Sequence, residues 1–276
     1  MSEGEFRALR DIIREEFGLY YDDGKQFLLQ SRLALRLAKA GLESFDAYSA
    51  MLRNPRTRET EMRELTSVLT NNETYFFRER AQLKALVGGV LDEIRGGVRV
   101  RPLRIWSAAC SSGEEPYSLA MTLMESGRLR PDEFEIYASD ISDRVLELAQ
   151  RARYQSLSFR ATEPGMLQRY FEPVGHEYRL KDEVRRHVRF FRLNLLDQQA
   201  LSGLQEMDAI FCRNVLIYFD RVTQKRVVES FAQRLTERGY LFLGHAESLF
   251  HLTDYYEPIL QPDTIVYRRR AKEARA

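Results

Sequence analysis

Glu114 and Glu115 open a helical pattern directly behind a run of small residues, Ser107 to Gly113, in the stretch "RIWSAACSSGEEPYSLAM". Many α/β proteins use such a strand, small-residue turn and helix start to bring a ligand close to the main chain, most often with a phosphate at the helix N–H groups. Carboxylates at that mouth disfavour a phosphate and suit a cation. Asp140 ends the strand-like "FEIYASD", where an acid can accept hydrogen bonds from both hydroxyls of a ribose. Asn194, followed by Leu195 and Leu196, offers an amide and aliphatic walls for an adenine, and Asn214, with Val215 beside it, follows "DAIFC". Each signal has a plainer reading: acids suit the first turn of any helix, Asp140 can be an N-cap, and asparagines frequent strand ends. Together, four strand ends with ligand-type polar groups in one crevice point to a nucleoside-like cofactor. Ribose, adenine and a cationic group without a phosphate describe S-adenosylmethionine.

Those strand ends need a scaffold that aligns them. From about Phe6 to Leu69 the apolar residues recur at helical spacing, punctuated by Gly18, Gly24, Gly41 and "NPRT", which predicts a small all-α domain over 1–70. The polar "TNNETYFFRER" follows, then one amphipathic helix around Ala81 to Ile94 closed by Gly96 and Gly97. Beyond it, "LRIWS", "FEIYASD", "VRFFRLN", "MDAIFCRN", "GYLFLGH" and "TIVYRRR" read as strands, with helices over Glu114–Glu125 and Asp143–Ala152. Strands alternating with helices predict an α/β domain over 71–276, with a largely parallel sheet covered on both faces. In such a sheet ligands sit beyond the carboxyl ends of the strands.

The composition narrows the partners. Lys and Arg total 42 against 41 Asp and Glu, so the chain lacks the basic footprint of a nucleic-acid binder. No apolar run is long enough for a membrane span, the N-terminus lacks the apolar core of a signal peptide, and the expected location is the cytoplasm. Cys110 and Cys212 lie in no metal-binding pattern; they read as small buried residues, and no metal is expected. His245 reads as a structural strand-end residue.

In order along nearly the whole chain, "TNNETYFFRE", "WSAACSSGEEPYSLAM", "ASDIS", "LNLLD", "DAIFCRNVLIYFD" and "GHAESL" resemble the chemotaxis receptor glutamate methyltransferases, the CheR family. The resemblance implies a helical N-terminal domain and a Rossmann-like methyltransferase domain with a small antiparallel β insertion, about 165–192. It implies methyl transfer from S-adenosylmethionine to receptor glutamates, giving glutamyl 5-O-methyl esters and S-adenosylhomocysteine. By motif position, cofactor contacts fall on Asn72, Thr74, Arg78, Glu114, Asp140, Asn194, Leu195, Asn214 and Val215, with Arg78 and Tyr218 close to the transferred methyl. The competing readings are a methyltransferase of another substrate class and a non-catalytic sensor of the cofactor or its product. Neutral charge disfavours nucleic acid as substrate, and the intact Arg78, Glu114, Asp140 and Tyr218 disfavour the sensor.

Two features bear on the substrate. "GKQFLLQSRLALRLAKAG" carries Lys25, Arg32, Arg36 and Lys39 without an acid, and their spacing predicts a cationic stripe for docking on the acidic helical region of a receptor. The segment "YFEPVGHEYRLKDEVRRHVRFF" holds a short turn at "PVGHE". Relatives that tether to a receptor's C-terminal peptide carry a longer, glycine-containing turn there, so the shorter turn counts against tethering and favours recognition mainly through the helical domain. The protein is expected to act as a monomer.

Overall fold

The computed structural model describes residues 1–96 and 101–271, which leaves Gly97 outside. By packing, the chain forms two compact units: Met1–Asn71 with Tyr218–Thr223, and Asn72–Ile217 with Gln224–Ala276.

The first unit contains α1 (Glu3–Phe17), α2 (Gln26–Lys39), α3 (Phe45–Arg53) and α4 (Pro55–Leu69). Their limits follow from local chemistry. Ser2 and Glu5 form a reciprocal capping box at the start of α1, and Gly18 ends it in the left-handed conformation. Asn54 caps α4, whose first residue is Pro55. Phe6, Leu9, Ile13, Leu29, Leu33, Tyr48, Leu52 and Leu65 are buried, matching the helical periodicity.

The second unit begins with α5 (Arg80–Ala85) and α6 (Leu91–Arg95). Sequence periodicity predicts one helix here; the structure breaks it at Leu86–Val90, where Gly88 leaves helical geometry (φ −82°, ψ −125°). Among the described residues ten strands and six further helices follow: β1 (Leu103–Ala108), α7 (Glu114–Glu125), β2 (Phe134–Asp140), α8 (Asp143–Arg151), β3 (Arg153–Tyr154), α9 (Pro164–Tyr170), β4 (Phe171–Val174), β5 (Glu177–Leu180), α10 (Asp182–Arg185), β6 (Val188–Arg192), α11 (Gln198–Ser202), β7 (Met207–Cys212), α12 (Arg221–Arg234), β8 (Leu235–Leu243), β9 (Tyr256–Gln261) and β10 (Thr264–Arg269). The main sheet has the order β6-β2-β1-β7-β8-β10-β9. Its first five strands are parallel, and the β9–β10 hairpin closes it antiparallel. This is the Rossmann-like architecture expected from the sequence. Ile105 packs in one core with Leu119 of α7, while its neighbour Trp106 meets Phe231 of α12 edge-on, so alternate residues of β1 serve opposite covered faces.

The strand order reverses between β1 and β7, where a crevice is expected at the carboxyl edge. A separate sheet, β3-β5-β4, forms the insertion. It draws on residues 153–180, starting earlier than the expected 165–192, and Val188–Arg192 belongs to the main sheet, where β6 pairs with β2 in parallel.

Candidate cofactor cleft

The turn after β1 is built around a close approach. Gly113 has φ +94°, and a Cβ on it would lie 2.9 Å from Ala149 Cβ and 3.1 Å from the Tyr154 hydroxyl. Ala109 and Ser111 are also left-handed, which turns the chain sharply enough to bring Ser111 N–H 2.9 Å from Asp140 Oδ2. Cys110 N–H donates to the Ser139 carbonyl at 2.8 Å, tying this turn to the end of β2.

The two carboxylates that open α7 have different fates. Glu115 accepts from Ser107 Oγ at 2.7 Å and from Arg213 Nε at 2.6 Å. Glu115 thereby ties the start of α7 both to β1 and to the residue after β7. Glu114 is buried, and its oxygens accept from Ser112 Oγ at 2.7 Å and Ser158 Oγ at 3.1 Å. Among the described residues no ion pair reaches it, and burial pushes its carboxyl above the usual range. Asp140 is likewise buried; it accepts from Ser111 N–H and, at 3.0 Å, from Ser142 N–H, and burial raises its carboxyl too.

The remaining predicted residues of this unit arrive by their own elements. Asn72 turns its carbonyl to Ser111 Oγ at 3.1 Å, which brings the start of the unit to the β1 turn. Thr74 is half-buried. Arg78 donates through Nη1 to the Glu73 carbonyl at 3.1 Å and lies 5.7 Å from the centre of the Tyr75 ring. The other face of the story is Arg160, whose guanidinium lies 3.8 Å from the same ring centre and pairs with Glu73 at 2.8 Å. Asn194 Oδ1 accepts from Leu196 N–H at 3.0 Å, and Leu195 is buried. Asn214 takes the left-handed conformation (φ +60°) two residues beyond β7, with Val215 half-buried beside it. Tyr218 falls in the other compact unit, where its carbonyl accepts from Tyr20 N–H at 2.9 Å.

Several contributors carry no sequence signal of their own. Glu79, left-handed at φ +52°, accepts from Asn214 Nδ2 at 3.3 Å and lies 3.1 Å from His245 Nδ1. Burial pulls its carboxyl up, but the Arg213 guanidinium together with the hydrogen bonds from His245 and Asn214 outweighs burial and holds it below the usual range. Glu247 accepts backbone N–H groups around Asn214. Only the quoted motifs "FFRE", "CRN" and "GHAES" hinted at these partners, which lie far apart in the chain.

The predicted docking stripe divides in two. Lys25 and Lys39 are exposed, but Arg36 is buried: its Nε and Nη2 reach Glu61 at 3.0 and 2.7 Å, and its Nη1 reaches Glu64 at 2.9 Å. Arg32 is half-buried and donates to the Leu69 carbonyl and the Tyr21 hydroxyl. The acids that meet Arg36 come from α4, and Lys25 pairs with Asp22 at 3.0 Å, neither of which a search within α2 alone sees. The outward face of α2 is apolar instead, with Phe27 81%, Leu35 56% and Leu28 43% exposed and Ser31, Ala34 and Ala38 between them.

Among the described residues, no group of three or more His, Cys, Asp or Glu side chains could hold a metal ion, and no helix is long and apolar enough to cross a membrane. Cys110 and Cys212 are buried free thiols, and burial pushes both well above the usual thiol range.

Residues 72–265 match the family model described as "CheR methyltransferase, SAM binding domain", and residues 4–70 match "CheR methyltransferase, all-alpha domain". The chain is 38% identical over 275 residues to "Chemotaxis protein methyltransferase 2" of Vibrio cholerae, covering 94% of each chain. It is 38% identical over 257 residues to "Chemotaxis protein methyltransferase" of Escherichia coli, covering 91% of this chain and 87% of that one. A solved N-methyltransferase, NodS from Bradyrhizobium japonicum in complex with S-adenosyl-L-homocysteine, shares 15% identity at a TM-score of 0.42, covering 83% of this chain and 98% of that one.

Proposed function

The chain belongs to the CheR methyltransferase family, and from that premise we propose that it methylates glutamate side chains in the cytoplasmic helical region of a chemotaxis receptor, forming glutamyl 5-O-methyl esters. The observation that carries this reading is the acidic lining of the cleft: Glu114 and Asp140 are buried carboxylates that make no ion pair among the described residues, and the Arg160 guanidinium lowers Glu114 less than burial raises it. That donor chemistry fits S-adenosylmethionine, the cofactor of this family's methyltransferase domain. Glu114 would hold its ammonium group, Asp140 its ribose hydroxyls, and Asn194, Leu195, Asn214 and Val215 its adenine end, with Asn72, Thr74 and Arg78 completing the contacts. When bound, the cofactor supplies an electrophilic methyl group on a sulfonium.

A glutamate acceptor explains what the cleft lacks as well as what it holds. The acceptor carboxylate is already ionised near neutral pH, so the reaction needs orientation and exclusion of water but no general base. His245, the histidine beside the cleft residues, is engaged through Nδ1 with Glu79. Arg78, with a planar fork suited to carboxylates, would orient the acceptor or the cofactor's own carboxylate, and Tyr218 would hydrogen-bond near the methyl group.

Recognition would run through the helical domain. The exposed apolar face of α2, with small residues that admit a close helix approach, suits a receptor helix, and Lys39 adds positive charge at its margin. The insertion ends in a two-residue turn, Gly175–His176, between β4 and β5. We read that short hairpin as one that does not tether a receptor's C-terminal peptide, and the enzyme as a cytoplasmic monomer. Micromolar binding of the isolated peptide would argue against the first of these.

The test of the reaction is incubation with methyl-labelled S-adenosylmethionine and a purified receptor cytoplasmic fragment. Label released as methanol by mild alkali, and lost when the target glutamates are changed to alanine, is expected. Alkali-stable label would move the chemistry to another acceptor.

A further inference from the structure

Glu247 stands in the segment that follows β8 and has no ion-pair partner among the described residues. Its carboxylate instead gathers main-chain N–H groups from two segments. Oε2 accepts from Gly244 N–H at 2.7 Å and Asn214 N–H at 2.8 Å; Oε1 accepts from Val215 N–H at 2.9 Å and, more weakly, from Ile217 N–H at 3.4 Å. Successive N–H groups converging on one point make a concavity that favours an anion. Here the chain's own carboxylate fills it.

The surroundings allow little else. Glu247 N–H closes a turn onto the Gly244 carbonyl at 2.8 Å, so the same four residues fold the side chain back over their own first N–H. A Cβ on Gly244 would sit 2.8 Å from Glu247 Oε2 and 2.7 Å from Asn214 Nδ2, so the close approach of the two segments requires glycine. Asn214 is left-handed, a conformation that asparagine adopts more readily than most residues and that its surroundings must hold. The hydrogen bond to Glu247 holds it.

We propose that Glu247 is the positioning residue of the cofactor cleft: by binding the main chain at Asn214, Val215 and Ile217, it fixes the loop after β7 in the form the cofactor meets. It does so without touching the cofactor. The inference rests on the reading of Asn214 and Val215 as cofactor contacts. Its consequence is that the loop is formed before binding, so the cofactor need not order it.

Calorimetric titration of S-adenosylhomocysteine into the wild type, Glu247→Gln and Asn214→Ala separates the two layers. Glutamine keeps the shape but offers one acceptor oxygen, leaving N–H groups of the loop without a partner. Glu247→Gln is expected to bind about tenfold more weakly, to show a raised KM for the cofactor, and to keep its kcat at saturation. A purely structural role would lower the melting temperature and leave the affinity of the folded protein intact. Wild-type affinity in Glu247→Gln, with Asn214→Ala weakened, overturns the positioning role alone; wild-type affinity in Asn214→Ala overturns the contact reading and the inference with it. Should Glu247→Gln fail to fold, hydrogen exchange on the wild type decides. The Asn214, Val215 and Ile217 amides are expected to be protected without ligand, and exchange at free-peptide rates until S-adenosylhomocysteine is added would overturn the proposal.

Discussion

Buried carboxylates occur in both units of the chain, and they are satisfied in opposite ways. In the helical unit Glu61 is met by two nitrogens of Arg36 and by the Tyr48 hydroxyl at 2.6 Å, a closed network of charge and hydrogen bonds. The pair raises Arg36, and burial together with donation to Glu61 raises the Tyr48 phenol. In the methyltransferase unit Glu114 and Asp140 are satisfied only by hydroxyls and main-chain N–H groups. Their charge is hydrogen-bonded but not neutralised. The contrast separates uses of a buried acid: Glu61, with its own guanidinium, closes a structural network, whereas Glu114 and Asp140, fed by neutral donors at the strand ends, would suit a cationic or hydroxyl-bearing guest, and Glu247, fed by main-chain N–H groups alone, binds a loop.

The largest effect should come from breaking the closed network. Arg36→Ala leaves Glu61 buried beside a phenol with no guanidinium and is expected to cost ~3–5 kcal/mol in urea unfolding. The double variant Arg36→Met with Glu61→Leu should recover most of that loss, because it removes both charges together. A smaller effect is expected in the cleft, where Glu114→Gln should weaken S-adenosylhomocysteine binding by about 1.5–3 kcal/mol, read by calorimetry, with little change in unfolding.

Acidity sharpens the same contrast. With their folded carboxyls raised, Glu114 and Asp140 bind protons in the folded state more readily than in the unfolded chain. The ligand-free protein is therefore relieved as pH falls from neutrality into the window between the raised values and the ordinary 4.5 and 3.8, and it loses that relief as pH rises through the raised values. Cofactor affinity should run the other way, weakening on acidification as the carboxylates are protonated. Titrations between about pH 8 and pH 5 check this, and Glu114→Gln should flatten the trend.

The smallest effect on stability is expected on the outer face of α2. Phe27→Asp and Leu35→Asp should change unfolding by less than about 0.5 kcal/mol and leave S-adenosylhomocysteine binding intact, while receptor methylation falls severalfold. If docking is mainly apolar, raised salt should reduce methylation by the wild type far less than these substitutions do. Strong salt dependence with indifferent Phe27 and Leu35 variants would restore the cationic stripe.

How much of this was legible in the chain depended on the range of the interaction. Periodicity located α1 to α4 and the parallel strands because those patterns are local and each element buries one face or both. Small residues before Glu114, and the strand-end positions of Asp140, Asn194 and Asn214, were readable for the same reason. The fate of Arg36 was not, because its partners Glu61 and Glu64 lie on another helix and nothing in α2 announces them. Glu115 and Glu114 look alike as neighbours, yet Arg213 selects one of them from across the sheet. The helix around Gly88 was overextended because apolar spacing continues through a break that the two glycines permit. Glu247 was visible only as part of a motif, since its role lies in main-chain groups some thirty residues away.

Asp140 is the carboxylate on which the assignment of the cleft rests, and the most direct test is urea unfolding of wild type and Asp140→Asn at neutral pH, with and without saturating S-adenosylhomocysteine. Without ligand the variant should stay within about 1–2 kcal/mol of wild type, because removal of a buried, unneutralised charge offsets the loss of one acceptor oxygen for the Ser111 and Ser142 N–H groups. Stabilisation by the ligand should fall by about 2 kcal/mol, corresponding to binding weakened about thirtyfold. Full ligand stabilisation in Asp140→Asn, or a collapse of its ligand-free stability like that expected of Arg36→Ala, would show that this carboxylate serves the fold and would contradict the assignment of the cleft.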